Sequence, residues 1–398
     1  MRISTPQIFR QGSGAIVDQQ ARLSRTQLQL ATGRRVLVPS DDPAASARIL
    51  GLREVLSQAE QYQRNIDFAR ARLEQTETVL AGAGDVVQRV HELAVRVQNA
   101  TFSDGDRRAV AAELRERLQE LVALANSRDA GGEYLFAGYQ SRTRPFALAA
   151  DGTVSYNGDQ GQRFVEIGAG RQLAVSDSGA ELFMDFSSGN GTFVVDADAG
   201  NTGTGLIQTG TVTDPSSWVA DTYTLTFTSA TAYEVRDSGG ALITSGSYAE
   251  GAAIAFRGIQ TAITGTPAAG DRFTVAASTS QDVFRVVDKL ADALETATAD
   301  AAGRTQVAQD ANTALGELAR VLDKLVTARG RIGARLNALE GQGQVNEDLL
   351  LRSRETLSVL EDLDYAEAVS RFQQQVTALQ AAQQSYARIQ QLSLFDYL

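Results

Sequence analysis

Apolar residues recur at helical spacing in both halves of the chain. In the first half, a seven-residue repeat runs through Leu52, Ala59, Ile66, Leu73 and Leu80. In the second half, steps of three and four, interrupted at Arg329, run through Leu315, Leu318, Leu322, Leu325, Ile332, Leu336 and Leu339. Such repeats predict long helices that wrap around one another as a coiled coil. Core-facing helices of a single bundle give the same pattern, so both arrangements fit.

The two chain ends carry shorter seams of the same kind. The N-terminal seam consists of Phe9, Ile16, Leu23 and Leu30. The C-terminal seam, interrupted at Gln383, consists of Val369, Phe372, Val376, Leu379, Tyr386 and Ile389. The pattern predicts one terminal helix at each end. Helices with so few apolar residues are marginal when isolated, so each needs a packing partner.

Residue types at the helix ends indicate where the helices stop and start. Gly33 can adopt the left-handed conformation that ends a helix. Asp42 then stands as a capping residue before Pro43, which suits the first helical position. Residues 34–40 are therefore predicted to form a connecting loop. Asp364 can cap the last helix in the same way as Asp42.

The middle of the chain alternates with a period of two. Tyr223, Leu225 and Phe227 are separated by threonines, and the glycine-rich turn at 238–240 fits a hairpin. A shorter stretch, 134–175, predicts further β-hairpins. The predicted fold is α+β: a long-helix bundle or coiled coil formed by both chain ends, with an inserted antiparallel β domain.

These patterns divide the chain into five predicted segments. They are an N-terminal helix and turn (1–42), the first half of a helical bundle with β-hairpins (43–190), an inserted β domain (191–281), the second half of the bundle (282–363) and a C-terminal helix (364–398).

The charge is concentrated in the middle of the chain. The 398 residues carry a net charge of −11, of which −9 lies in residues 151–281. A nucleic-acid-binding protein usually has the opposite sign, so no nucleic-acid partner is expected. The N-terminus lacks the apolar core of a secretory signal, and no run of 18 apolar residues occurs. We therefore expect no membrane insertion and, if the protein leaves the cell, export without a cleaved signal peptide.

The composition excludes several kinds of catalytic chemistry. There is no cysteine, and the single histidine, His91, lacks the second histidine that a zinc-protease motif requires four residues later. The acidic turn at 196–198 has too few ligands for an EF-hand. No catalytic, cofactor-binding or metal-binding residues are predicted, and the protein is not expected to be an enzyme. A carboxylate pair hidden in the acidic middle block leaves one alternative, a hydrolase carried by the β domain.

Three stretches resemble the bacterial flagellin family. They are residues 30–36 (LATGRRV) with 41–45 (DDPAA), residues 88–101 (QRVHELAVRVQNAT) and residues 362–366 (DLDYA). The first and third contain the positions we expect to carry the family motif: Gly33, Arg34, Asp41, Asp42, Asp364 and Tyr365. The matches cover about 250 residues at the two ends of the chain.

Other features resemble the hook-associated branch of that family. They are Pro43 after the double aspartate, residues 132–138 (GEYLFAG), the C-terminal residues 392–398 (LSLFDYL), and residues 265–267 (GTP) followed by 270–273 (GDRF). The resemblance favours a hook-associated protein, with filament flagellin as the nearest alternative. A soluble coiled-coil signalling protein would not need the β insert.

The resemblance implies a structural role in the bacterial flagellum. Such proteins pass unfolded through the flagellar type III export channel, and a cytoplasmic chaperone first holds the C-terminal region. Outside the cell, copies assemble between the hook-proximal junction protein and filament flagellin, with the terminal helices lining the central tube. We therefore expect the two terminal seams to be the residues through which neighbouring copies assemble.

Overall fold

The computed structural model describes residues 5–98, 102–296 and 300–391. Within them, the helices are α1 (Thr5–Thr32), α2 (Pro43–Val97), α3 (Asp104–Ala125), α4 (Val283–Glu295), α5 (Ala301–Glu361) and α6 (Tyr365–Gln391). The chain divides into two compact units, one made of residues 1–64 with 341–398 and the other of residues 65–340. Both α2 and α5 contribute residues to each unit.

Among the described residues of the first unit, the long regular elements are all helices. The terminal helices α1 and α6 pack along each other, and the first part of α2 packs against the last part of α5. Between α2 and α5, Leu56, Ala59 and Leu350 are buried, and Leu357 is partly buried against them. The predicted repeat through Leu52 and Ala59 therefore does face a partner helix, but the apolar core here is small.

The second unit has a large helical core. The predicted repeats supply its buried side chains, among them Ile66, Leu73, Leu80, Leu318, Leu325, Ile332 and Leu339. Phe146 lies at the centre of an aromatic cluster, with its ring centroid 5.6 Å from that of Phe183 and 5.4 Å from that of Phe284. A single turn of π-helix, Ala180–Met184, brings Phe183 into this cluster. The cluster joins α4 to the hairpin region that follows α3.

Short strands fill the chain between α3 and α4. They are β1 (Phe146–Leu148), β2 (Val154–Tyr156), β3 (Phe164–Gly168), β4 (Arg171–Ala174), β5 (Phe186–Ser187), β6 (Phe193–Ala197), β7 (Leu206–Ile207), β8 (Thr211–Val212), β9 (Tyr223–Ser229), β10 (Ala232–Arg236), β11 (Leu242–Ser247), β12 (Ala253–Phe256), β13 (Ile259–Thr264), β14 (Arg272–Ala277) and β15 (Ser280–Gln281). All of the pairings between them are antiparallel.

Two sheets form a separate β core inside the second unit. One has the strand order β11-β10-β9-β14-β6, and the other has β12-β13-β7 with β8 also paired to β13. Tyr223, Leu225 and Phe227 all lie in β9 and are buried, as their alternation predicts. The turn at 238–240 joins β10 to β11, and Gly240 has a φ of 81° there.

The predicted α+β fold class is confirmed: long helices at both chain ends flank an antiparallel β domain. The stretch 134–175, which is predicted to form β-hairpins, contains the antiparallel pairs of β1 with β2 and of β3 with β4. The five-segment division remains a prediction. No helix in the described part of the chain is both long enough and apolar enough to cross a bilayer.

Candidate assembly site

The turn between α1 and α2 is held by its own carboxylates. Gly33 ends α1 with a φ of 69°, and its N–H donates to the Gln29 carbonyl at 2.8 Å. Asp41 Oδ2 accepts the N–H groups of Leu37, at 3.0 Å, and Val38, at 3.2 Å. Asp41 also pairs with Arg25. Through these contacts, Asp41 holds the loop against α1. Asp42, the next residue, directly precedes α2.

The same turn binds the junction between α5 and α6. The N–H of Leu363 donates to the Gly33 carbonyl at 2.9 Å, and the N–H of Arg35 donates to the Glu361 carbonyl at 2.7 Å. These two hydrogen bonds flank an antiparallel bridge between Arg34 and Asp362. Residues 33–42 and 361–365 therefore form one structure, which we call the clasp.

Two further caps define where α2 and α6 begin. Asp42 Oδ1 accepts the N–H of Ala45 at 2.9 Å, and Asp364 Oδ1 accepts the N–H of Glu367 at 3.1 Å. Both aspartates therefore satisfy backbone donors in a first helical turn, as predicted. Their negative charges are also favourable at helix N-termini.

Glu361 supplies the charge at the centre of the clasp. Its carboxylate Oε1 lies 2.7 Å from Arg34 Nε and 2.7 Å from Arg53 Nη2, and its side chain is nearly buried. Arg35 Nη2 adds a hydrogen bond to the Leu360 carbonyl at 2.9 Å. Sequence reasoning placed Arg34 in a motif but missed Glu361 and Arg53. No local pattern links two residues that are 308 positions apart.

The terminal helices run antiparallel. Gly12 lies beside the ring of Tyr386, Gln19 Nε2 donates to the Gln375 carbonyl at 3.2 Å, and Gly33 lies beside the hydroxyl of Tyr365. The small residue at position 12 allows close approach, because a Cβ there would come 2.8 Å from the tyrosine ring.

Most of the predicted seam residues are only partly buried. This group comprises Ile16, Leu23, Leu30, Phe372, Val376, Leu379 and Tyr386. Val369 is exposed. The side chains of Phe9 and Ile389 lie outside the described part of the structure, as do residues 392–398. Neither seam is completely shielded by the pairing of α1 with α6.

The acidic turn at 196–198 lies beside Asp271, and carboxylates of both accept hydrogen bonds from nearby backbone N–H groups. Asp198 Oδ1 accepts the N–H of Gly200 at 2.8 Å, and buried Asp271 accepts the N–H of Thr202 at 2.8 Å. Among the residues that the structure describes, no three histidine, cysteine, aspartate or glutamate side chains are grouped as metal ligands would be.

Comparisons with known proteins agree with this architecture. Residues 3–141 match the family model of the bacterial flagellin N-terminal helical region, and residues 196–277 match that of the D2-like domain of flagellar hook-associated protein 1. Over all 398 residues, the chain is 25% identical to flagellar hook-associated protein 3 of Escherichia coli K12, covering 99% of that protein.

Solved structures give closer relatives. FlgL from Xanthomonas campestris is 36% identical, with a TM-score of 0.73 over 77% of this chain and 99% of that one. The flagellar junction protein FlgL from Legionella pneumophila is 30% identical, with a TM-score of 0.72 over 79% of this chain and 100% of that one. These similarities define a structural protein of the flagellum with flagellin-like ends. The chain belongs to the FlgL family, also called flagellar hook-associated protein 3, the structural protein of the hook–filament junction.

Proposed function

We propose that copies of this chain assemble into the junction layer by covering the half-buried seams of each other's terminal helices. The observation that carries this proposal is the incomplete burial of both seams within a single chain. Each partly buried apolar side chain that becomes fully covered contributes about 1 kcal/mol, so a neighbouring copy supplies a substantial driving force. A head-to-tail contact of this kind does not close on itself and builds a helical tube.

The partners follow from the position of a junction layer. Neighbouring copies of the chain occupy the sides, the hook-proximal junction protein occupies one end, and filament flagellin occupies the other. The relatives are structural flagellar proteins, and we infer that this chain acts by assembly and not by catalysis. The motif residues of the clasp, among them Gly33, Arg34 and Tyr365, set the direction of α1 relative to α2 and of α6 relative to α5.

We further propose that the chain reaches the outside through the flagellar export channel without losing a signal peptide. Before assembly, the C-terminal seam is incompletely covered, so it offers an apolar surface to a cytoplasmic chaperone. Partly exposed residues such as Phe372 and Val376 support this proposal. A chaperone bound there would also prevent premature assembly in the cytoplasm.

The test places charges on the α6 seam. Val376→Asp combined with Leu379→Asp, made in the chromosomal copy, is expected to give hooks without filaments and to release flagellin into the medium. The matched control is Thr377→Asp with Gln380→Asp, because these two neighbouring positions on α6 are exposed. The control is expected to retain filaments. Normal filaments in the seam variant would overturn the assignment.

Immunoblots of cells and medium separate export from assembly. Variant chain that appears in the medium but not in sheared flagella has lost assembly. Variant chain retained in the cells has lost its interaction with the chaperone or the export channel. The first outcome supports the proposed role of the seam in the junction, and the second supports the proposed role of the seam in export.

A further inference from the structure

A cavity in the second unit is lined by arginines and an aromatic ring and contains no residue of the clasp or of the terminal seams. Its volume is about 770 Å³, and its walls are the α2 segment 68–75, the loop 128–133 that follows α3, and the side chains of Arg142 and Arg163. The loop includes the start of the GEYLFAG stretch. Cavities of this size hold small organic ligands or a few residues of a peptide.

Buried polar contacts fix the walls of this cavity. Arg72 on α2 is only 3% exposed and forms an ion pair with Asp129. Gln75 Nε2, also on α2, donates to the Arg128 carbonyl at 2.6 Å. These contacts hold the loop 128–133 against α2, so the cavity is preformed. Arg72 Nε is buried and has no hydrogen-bond acceptor among the described residues, so this lining side chain has an unused donor.

Both carboxylates that line the cavity already have counter-charges. Asp129 is paired with Arg72, and the Glu133 carboxylate lies 2.7 Å from Arg163 Nη1. The hydrogen bond from Arg163 also lowers the pKa of Glu133, which keeps that carboxylate ionised. Because each carboxylate is matched by one arginine, these four residues leave no net charge in the cavity.

Two further arginines in the cavity have no counter-charge. Arg128 and Arg142 are both exposed, and neither forms an ion pair with any carboxylate in the described part of the chain. Arg128 is held in place by Tyr134, whose ring centroid lies 4.4 Å from the guanidinium carbon and whose hydroxyl accepts from Nη2 at 2.6 Å. Its other N–H groups stay available. The lining residues therefore carry a net charge of about +2.

The α2 wall adds an apolar surface and no acid. Phe68, which lines the cavity, is 53% exposed. At about 100° per residue, Asp67 and Glu74 lie roughly 90–110° around α2 from the side formed by positions 68, 71, 72 and 75. Their carboxylates therefore do not face the cavity, and its positive charge stands beside an exposed aromatic ring.

We propose that this cavity binds a carboxylate joined to an aromatic or aliphatic group, with Arg128 and Arg142 on the carboxylate and Phe68 against the apolar group. Guanidinium groups match a carboxylate with paired hydrogen bonds. The nearby carboxylates of Asp129 and Glu133 disfavour ligands with several negative charges, such as polyphosphates. The same chemistry is offered by a free organic acid and by an acidic residue next to an apolar one in another flagellar protein.

Titration of the purified full-length chain with 4-phenylbutyrate, followed by NMR of the ligand, tests this chemistry. The expected dissociation constant is about 1 mM or lower. 4-Phenylbutanol lacks the carboxylate and butyrate lacks the ring, so both are expected to bind at least about tenfold more weakly. Equal binding of 4-phenylbutyrate and 4-phenylbutanol would overturn the proposal. The measurement uses the isolated chain, so its outcome is separate from that of the α6 seam variant.

Single substitutions locate the binding. Arg142→Gln is expected to weaken 4-phenylbutyrate binding about tenfold, and Phe68→Ala to weaken it several-fold. The matched control is Arg144→Gln, because Arg144 is exposed two residues further on and does not line the cavity. The control is expected to bind as tightly as the unsubstituted chain. Unchanged binding by Arg142→Gln, or equal losses from Arg142→Gln and Arg144→Gln, would overturn the site.

Photo-cross-linking in assembled flagella distinguishes the two sources of the carboxylate. Phe68 is replaced by p-benzoylphenylalanine in the full-length chain, and cross-linked peptides from sheared flagella are identified by mass spectrometry. A peptide with an acidic residue at the cross-link, lost in Arg142→Gln, supports a carboxylate from a neighbouring flagellar protein. Absence of protein cross-links, with 4-phenylbutyrate bound, supports a free organic acid. A cross-linked peptide that contains no acidic residue would overturn the proposed recognition.

Discussion

The hydroxyl of Tyr365 lies 2.9 Å from the point that a Cβ atom on Gly33 would occupy. Gly33 also has a φ of 69°, in the left-handed region that disfavours side chains. Glycine is the residue that both adopts this φ readily and leaves room for the tyrosine hydroxyl. The end of α1 can therefore approach the start of α6 at Gly33. This relationship explains why the clasp needs glycine at position 33.

Gly33→Ala is expected to destabilise the first unit by about 1–2 kcal/mol, from the left-handed backbone and the contact with Tyr365. Adding Tyr365→Phe should relieve the contact but not the backbone cost, so the double variant should recover only part of the loss. Gly14→Ala is the control, because its Cβ would meet nothing within 4 Å in the same helix. Urea unfolding followed by circular dichroism measures all three. Full recovery by Tyr365→Phe would show that backbone conformation contributes little.

Glu361→Gln removes the charge that Arg34 and Arg53 share. Because both arginines are about half exposed, water compensates in part, and the expected loss is about 1–2 kcal/mol. The loss of stability should make hydrogen exchange of the Arg35 and Leu363 amides, which bridge the clasp, roughly tenfold faster. Glu355→Gln, at an exposed position of the same helix, should leave both amides unchanged.

Asp310 is expected to make stability depend on pH. Burial, with a smaller contribution from the Asp196 carboxylate, raises the pKa of Asp310 to about 6. The folded state then binds a proton more tightly than the unfolded state, so stability falls as pH rises from about 4 to about 6. Asp310→Asn should therefore raise stability at pH 7.5 by about 1–3 kcal/mol and change it little at pH 4.

Thermal unfolding at several pH values measures this effect. Asp323→Asn is the control, because Asp323 is exposed on the same helix α5. Equal effects of Asp310→Asn at pH 4 and pH 7.5 would contradict the prediction, because the substitution would then not act through the charge of the carboxylate.

Asp177 and Arg335 form a nearly buried two-point ion pair. Arg335 Nη1 and Nη2 lie 2.7 and 2.9 Å from the two carboxylate oxygens, and Gln162 Nε2 donates to Asp177 Oδ1 at 3.1 Å. Asp177→Asn leaves the guanidinium without a counter-charge and is expected to cost about 3–5 kcal/mol. Arg335→Met in the Asp177→Asn background should restore part of this loss. Calorimetry on the unsubstituted chain, the two single variants and the double variant gives the coupling free energy between the two residues. Additive losses of stability would show that Asp177 and Arg335 act independently.

Local patterns in the sequence account for much of the fold. The repeat from Leu52 to Leu80 and the alternation in β9 each reflect burial of one face, so periodicity alone reports them. Gly33, Asp42 and Asp364 could be placed at helix ends because capping depends on neighbouring backbone groups. The π-helix at Ala180–Met184 was not predicted, because its insertion into the aromatic cluster has no local periodic signal.

The candidate assembly site could be predicted only in part. Its apolar seams and motif residues were named, but their partners were not. Glu361 joins Arg34 and Arg53 across more than 300 residues, and no local pattern links residues that are so far apart. Periodicity also does not report how much of a seam residue stays exposed, because that depends on the helix that packs against it.

The sequence by itself determined the helix and strand types, the main helix ends, the acidic β insert and the family resemblance, because each depends on nearby residues or on composition. Only the tertiary structure decided how the clasp joins the two chain ends and how much of each seam stays uncovered. Those properties depend on contacts between residues far apart in the chain, and a one-dimensional pattern specifies a face without specifying what covers it.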